Sequence, residues 1–308
     1  MTAAGLFIAD KPRGPSSFAV IGRVRHLYGV RQVGHAGTLD PLASGVLPVL
    51  VGEATKLVPY LMGLEKEYQA TAHLGVATDT YDAEGRVTRR VDGAAVSALG
   101  EDEIRAALAS FVGQIAQRPP IYSAIKKDGK RLYQLARAQS HEGEGEGEAA
   151  LVPDEREVVV HEIRLEDITL PEVRFTVRCG KGTYIRSLAH DLGQRLGVGA
   201  HLVALRRTRV GPFASTQAVD PFTLGEAPAL LPLARAVEHL PLLEVDDDAA
   251  RRLRLGQQAP LARCAPGPVE GRETDTHRVL RQDGELIALA EWRPGPPGHW
   301  SLARVLRG

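Results

Sequence analysis

Cysteine is scarce in this chain of 308 residues: Cys179 and Cys264 lie far apart and form no CxxC pair. A disulfide framework and a cysteine-based zinc site are therefore excluded. Long apolar runs are missing too, and no stretch approaches the roughly 20 residues that cross a bilayer. The opening, MTAAGLFIADKPRG, lacks the basic start and extended apolar core of a secretion signal, so the cytoplasm is the expected compartment. Net charge is absent, with 38 Lys/Arg against 38 Asp/Glu. A chain uniformly neutral on every surface would be a poor partner for nucleic acid. A Gly-x-x-x-x-Gly-Lys-Ser/Thr loop does not occur, and nucleoside triphosphate binding is set aside. Internal repeats are lacking as well.

What is present is ordinary in bulk and uneven in detail. Hydrophobic residues make up 44% and charged residues 25%, the balance of a globular protein. The length suits one large domain and a smaller one. Charge is clustered. From Arg174 to Ser215 eight Lys/Arg face one acid, Asp191, and from Arg118 to Arg137 six face Asp128. The compensating acid lies partly between Glu142 and Glu157, with seven acids against Arg156. Clustering of this kind builds a groove for a phosphate backbone, though it also describes plain solvated faces.

Local patterns give a coarse fold. GLFIAD reads as a strand followed by a turn. A helix follows, capped by Ser16 or Ser17, with Ile21, Val24, Leu27 and Tyr28 on one face and Gly29 as its stop. Residues 69–75 and 173–179 alternate apolar and polar, as half-buried antiparallel strands do. GEDEIRAALASFVG and TYIRSLAHDLGQRLG are amphipathic helices, the second ending before Gly197. Strands without regular βαβ alternation predict a mixed α+β fold with a mainly antiparallel sheet. The run HEGEGEGEAALVPDE (141–155) predicts a mobile acidic loop. Proline thickens at 221, 228, 232 and 241, which predicts a linker before a strand-rich tail.

Two segments carry the chemistry. In VGHAGTLDPLASGVLPVLVGEATK, from Val33 to Lys56, Gly34 and Gly37 allow unusual backbone angles. Pro41 holds Asp40 out of the helical region. A carboxylate is thus presented on a stiff loop before an apolar strand, although Asp-Pro is also a common turn initiator. In CGKGTYIRSLAHDLG, Lys181 and the helix start favour a phosphate, and Arg186 can pair with a carboxylate from elsewhere.

GHAGTLDP with the SGVLPV and GEATK that follow resembles the signature of the bacterial tRNA pseudouridine synthase B family. KEYQATAHLGVATDTYDAEG (66–85), PPIYSAIKKDGKRLYQLAR (119–137), KGTYIRSLAHDLG (181–193) and GAHLVALRRTRVG (199–211) resemble further family blocks in the same order. The resemblance covers about residues 5 to 222, and the tail is loosely similar to a PUA-like RNA-binding module.

The resemblance implies a catalytic domain over 1–225, with an RNA-clamping insertion at about 120–155, and a β-rich PUA-like domain over 238–308. It implies isomerisation of uridine to pseudouridine at position 55 in the T-loop of tRNA, with base flipping. Asp40 is the implied catalytic carboxylate and Arg186 its partner. His35, Tyr68, Tyr184 and Leu205 are the implied contacts to the target nucleotide. Lys126, Lys127, Lys130 and Arg131 on the clamp, with Lys181, Arg206 and Arg207, are the expected RNA contacts. No metal, cofactor, membrane or obligate protein partner is expected, and the enzyme is expected to be a monomer acting on the T-arm. A tRNA folding chaperone with vestigial catalysis is the alternative. A glycoside hydrolase would need a second acid beside Asp40, and none stands in these motifs.

Overall fold

The computed structural model describes residues 3–122, 126–127, 130–131, 153–263, 277–293, 295 and 298–306. Strands β1 (Gly5–Lys11), β2 (Val33–His35), β3 (Ala43–Val51), β4 (Lys66–Leu74), β5 (Val76–Thr78) and β6 (Val87–Arg90) come first. β7 (Gly113–Gln117), β8 (Lys126–Lys127), β9 (Lys130–Arg131), β10 (Arg156–Thr169), β11 (Glu172–Cys179), β12 (Ala200–Val210) and β13 (Phe213–Ala214) follow. The tail holds β14 (Leu242–Glu244), β15 (His277–Gln282), β16 (Glu285–Arg293) and β17 (His299–Val305). The α-helices are α1 (Ser17–Tyr28), α2 (Val58–Met62), α3 (Gly93–Ser97), α4 (Glu101–Ala109), α5 (Ile185–Arg195) and α6 (Asp247–Arg254).

The main sheet runs β1-β3-β12-β4-β11-β10-β7, with β2 on β3 and β13 on β12. Its ladders are antiparallel except where β3 meets β12 from Ala43–Gly45 to Leu205–Arg207. This is the mixed, mainly antiparallel sheet expected from the sequence. Period-two alternation on β4 buries Tyr68, Ala70 and Ala72 and turns Gln69 outward. The buried face packs on α1, α4 and α5 through Val20, Val24, Ile104, Leu108, Leu188 and Leu192.

Helix α1 shows how local sequence sets local structure. Ser16 is its cap and accepts from the Ala19 amide at 3.1 Å, while Gly29 closes it in the left-handed region at φ 62°. Ser17 is thereby released for another task.

The tail forms a second sheet, β14-β15-β16-β17, around Ala250, Leu253, Leu280, Ile287 and Trp300. Trp292 and Trp300 stand opposite each other with ring centroids 5.4 Å apart. The proline-dense stretch before it, expected as a linker, is fastened to β1 and α1. Leu231 and Leu6 exchange backbone hydrogen bonds of 2.9 and 2.8 Å. The carbonyls of Pro221 and Pro228 accept from Arg23 Nε at 3.0 Å and Tyr28 Oη at 2.8 Å. Proline gives up its amide but keeps its carbonyl, so a proline-rich segment still fastens as an acceptor. Ala234, Ala236 and Val237 then share one apolar cluster with Leu6, Leu50, Leu286, Leu289 and Leu306, joining the two sheets.

Candidate active site

The loop between β2 and β3 carries Asp40, and its backbone is held from three sides. Ser17 Oγ donates to the Leu39 carbonyl at 2.9 Å and accepts from the Leu39 amide at 2.8 Å. Lys11 Nζ, fully buried, donates to the carbonyls of Pro12, Pro15 and Pro41 at 2.9, 2.7 and 3.5 Å. Burial pushes the Lys11 amine down to about 8, against the attraction of Asp40. Arg207, also buried, donates from Nη2 to the Gly37 carbonyl at 3.0 Å and from Nε to Val46 at 2.7 Å. Gly37 takes φ 102° and Gly45 takes φ 104°. A Cβ on Gly45 would stand 2.2 Å from the Arg207 carbonyl oxygen, so glycine is what lets β12 approach β3.

The opposite wall is the start of α5. Buried Gln117 holds the Tyr184 backbone twice, accepting from its amide at 2.8 Å and donating to its carbonyl at 3.0 Å. The next turn sends Arg186 inward. Its Nη2 lies 3.0 Å from Asp40 Oδ2 and 2.9 Å from the Tyr122 carbonyl. Its Nη1 lies 3.3 Å from Asp82 Oδ2 and 3.1 Å from the Thr80 carbonyl. Asp82 is as buried as Arg186, at 6% exposed for each side chain, whereas the Asp40 side chain is 43% exposed. One guanidinium thus bridges a buried carboxylate and an open one. Asp82 is fixed in turn by Thr80 Oγ1 at 2.6 Å and the Glu84 amide at 3.1 Å.

Between these walls lies a cleft of about 630 Å³, with Asp40, Tyr68, Lys181, Tyr184, Arg186 and Leu205 in its lining. Its size is that of a small-molecule site. Burial raises the Tyr68 phenol above its ordinary value, with Arg207 pulling the other way. Lys66 on the rim donates to the carbonyls of Met62 and Leu64 at 2.7 and 2.5 Å, and burial brings its amine down to about 8. Cys179 is buried at the end of β11 with its thiol pushed up to about 11, which keeps it an inert packing group.

The structure brings seven of the sequence-predicted residues to one cleft, Arg207 among them, and places the others elsewhere. His35 sits half-buried on β2, outside the cleft lining, and its Nδ1 has no hydrogen-bond partner among the described residues. Burial and the nearby Arg207 lower its imidazole below the usual value. Arg206 forms a bidentate pair with Asp10 at 3.0 and 2.7 Å. Arg207, expected as an RNA contact, lies in the cleft lining at 1% exposure, with its guanidinium held by loop carbonyls. β8 and β9 pair as a short hairpin, Lys126 opposite Arg131 and Lys127 opposite Lys130. The side chains of these four clamp residues lie outside the described residues, as do Cys264 and residues 141–152 of the acidic loop.

Asp82, Gln117 and Lys11 were not found from the sequence. Asp82 stands in TDTYDAEG, where an acid looks like a turn former, and its partner is about a hundred residues away. Arg207 did leave a signal. Strand alternation in ALRRTRVG puts it on the same face as Leu205 and opposite Arg206. Among the described residues no group of three or more His, Cys, Asp or Glu gathers to hold a metal ion, and no helix is long and apolar enough to cross a membrane.

A family model described as TruB family pseudouridylate synthase (N terminal domain) matches residues 25–185. A second, the tRNA pseudouridylate synthase B C-terminal domain, matches residues 186–231. The chain belongs to the TruB family. Its TruB relatives include the tRNA pseudouridine synthase B of Burkholderia pseudomallei (strain 668), 44% identical over 94% of each chain. That of Leifsonia xyli subsp. xyli is 42% identical over 95% of this chain and 94% of the relative. Among solved structures, an H/ACA RNP bound to a substrate RNA containing 2′-deoxyuridine superposes with a TM-score of 0.69 at 27% identity, over 99% of this chain and 85% of the other. A Cbf5-Nop10-Gar1 complex gives 0.67 at 30%, over 93% and 78%.

Proposed function

We propose that this TruB family member isomerises uridine 55 in the T-loop of tRNA to pseudouridine, with Asp40 as catalytic residue and Arg186 as its counter-ion. Kinship with enzymes named tRNA pseudouridine synthase B supports the activity and the tRNA substrate. The observation that supports the residue is the 3.0 Å contact of Asp40 with Arg186 in a cleft whose lining includes Tyr68.

The reaction exchanges one glycosidic bond for another. N1–C1′ breaks, C5–C1′ forms, the proton on C5 is lost and N1 gains one, so no external reactant is consumed. A carboxylate can serve as nucleophile, ion stabiliser or base at such a centre. Arg186 orients Asp40 from behind while the exposed side of the carboxylate faces the cleft. The target base has to leave its stack to reach this position. Tyr68 offers a ring face to it, Leu205 an apolar wall, and Tyr184 the opposite rim. Lys181, exposed at the helix start, suits the accompanying phosphate. The tail over 238–308 acts as a PUA-like module on the same RNA, beside a catalytic domain over 1–225, in a cytoplasmic monomer without an obligate protein partner.

Asp40→Asn is expected to lower pseudouridine formation by at least about a thousandfold while tRNA Kd stays within a few-fold. The assay uses a bare tRNA transcript without protein or guide-RNA partners. Pseudouridine made at wild-type rate by the variant would overturn the assignment of Asp40. Tight binding without turnover by the wild type would favour the chaperone alternative.

A further inference from the structure

Left-handed backbone is uncommon outside glycine. Among the described residues other than glycine, only Tyr81 and Asp283 adopt it, at φ 64° and 49°. Asp283 precedes Gly284 in the tight turn between β15 and β16, where aspartate is at ease. Tyr81 is bulky and disfavours the conformation, so its surroundings must hold it there. The residues on either side show what the conformation serves. Arg186 Nη1 donates to the Thr80 carbonyl at 3.1 Å and lies 3.3 Å from Asp82 Oδ2. Backbone rotation at Tyr81 sets how those two acceptors are turned relative to each other.

Two attachments hold the turn. On one side it is pinned to β12, where the Leu202 amide donates to the Tyr81 carbonyl and the Ala83 amide to the Leu202 carbonyl, each at 3.0 Å. On the other side the Tyr81 ring lies on the His190 imidazole, with centroids 3.9 Å apart and planes 18° from parallel. His190 follows Arg186 by four residues, so it stands one turn along the same face of α5. The turn is therefore fastened to α5 twice, by an ion pair at Arg186 and by a ring stack at His190. His190 Nδ1 is buried without a hydrogen-bond partner among the described residues, and Nε2 lies 3.5 Å from Gln194 Nε2. What His190 contributes is the face of its ring. Burial lowers the imidazole and raises the phenol, so at neutral pH both rings are uncharged. Neither belongs to the lining of the cleft around Asp40.

We propose that Tyr81 and His190 are positioning residues for the isomerisation: their stack keeps the Thr80–Asp82 turn in the form that aims Arg186, and through it Asp40, at the target uridine. A guanidinium is planar and rigid, so holding Nη1 in the turn fixes the direction of Nη2, which meets Asp40 at 3.0 Å. Without the stack, Tyr81 relaxes to negative φ, the two acceptors part, and the guanidinium turns with Asp40 following it. The loss falls on the geometry of the reacting groups and leaves the RNA contacts in place. The inference rests on the isomerase reading above, and the experiment separates the two.

Single-turnover pseudouridine formation and tRNA Kd are measured for the full chain carrying His190→Ala, Tyr81→Val, His190→Phe or Tyr81→Phe, well below the Tm of each. His190→Ala and Tyr81→Val should each slow the single-turnover rate about tenfold or more, with Kd within about twofold of wild type. Combining them should slow it no further than the slower single variant, because either change undoes the same stack. Both phenylalanine variants keep a ring face and should retain about half or more of the wild-type rate. Hydrogen exchange at the Leu202 and Ala83 amides reports the turn directly and should quicken in His190→Ala, which decides the matter if Tyr81→Val folds poorly. His190→Ala as fast as wild type, Kd rising in step with the lost rate, phenylalanine variants as slow as the others, or unchanged exchange would each overturn the positioning role. Wild type that makes no pseudouridine would sink the isomerase reading instead, a result distinct from all of these.

Discussion

The cleft region and the tail sheet are built on opposite principles. Among the described residues, every buried polar or charged side chain lies between Lys11 and Arg207, and Lys11, Lys66, Asp82, Arg186 and Arg207 all hold cleft segments. The tail core is apolar throughout, around Leu253, Leu280, Ile287 and Trp300, with ion pairs such as Arg251–Asp248 and Arg254–Glu285 at its surface. Burying charge costs several kcal/mol per ion, and the gain is geometry: a guanidinium satisfied in one arrangement fixes the loops around it. The tail needs cohesion and obtains it from apolar burial.

Substitutions can break this contrast, beginning with the largest effect. Arg186→Met is expected to abolish turnover and to cost about 3–5 kcal/mol in urea unfolding, because Asp82 is left buried without its cation. Arg186→Met/Asp82→Leu should regain much of that stability and none of the turnover. A double variant no more stable than the single one would refute the account of Asp82. On the tail side, Ile287→Ala should cost about 2–5 kcal/mol through the cavity it leaves, yet kcat measured well below its Tm should match wild type. A large drop in kcat there would show that the tail core sets cleft geometry.

Helix α5 offers a finer test, because Asp191 lies on the same helix as Arg186. Burial pushes the Asp191 carboxyl up to about 6, Glu155 adds to this, and Arg118 opposes it. The folded state then holds a proton that the unfolded state has released, so stability falls as pH rises from about 4 to about 6. Asp191→Asn removes the burden of the ionised form. It should raise stability at pH 7 by on the order of 1 kcal/mol, solvent screening included, and have no such effect at pH 4. Equal Tm gains at both pH values would contradict this. The smallest effect is expected for Arg251→Ala on the tail surface, within about 0.5 kcal/mol of wild type.

Much of this architecture was readable before any coordinates. Caps and stop of α1, the alternation on β4 and β11, and the amphipathic face of α5 are local patterns, and local patterns survive into the fold. The pairing of Asp40 with Arg186 was read only through family resemblance, because their distance in sequence carries no signal. The burial of Arg207 was not legible in a charge count, which records composition and ignores the direction of side chains. Pro221 and Pro228 announced an interruption, but not that their carbonyls would be taken by Arg23 and Tyr28. Asp82 and Gln117 look like unremarkable turn and strand residues until the partners that need them are near.

The strap from Val219 to Leu231 along β1 also bears on how the chain is made. β1 is an outermost strand of the main sheet, and its outer side bridges Val219 at Ala9 and Leu231 at Leu6. An uncovered outer strand invites pairing with other molecules. During synthesis at about 5–20 residues per second, the first strand waits roughly ten to fifty seconds for the segment that shields it. The nascent chain is therefore most prone to association at its earliest-made part, and a truncation before Val219 would leave that hazard permanent.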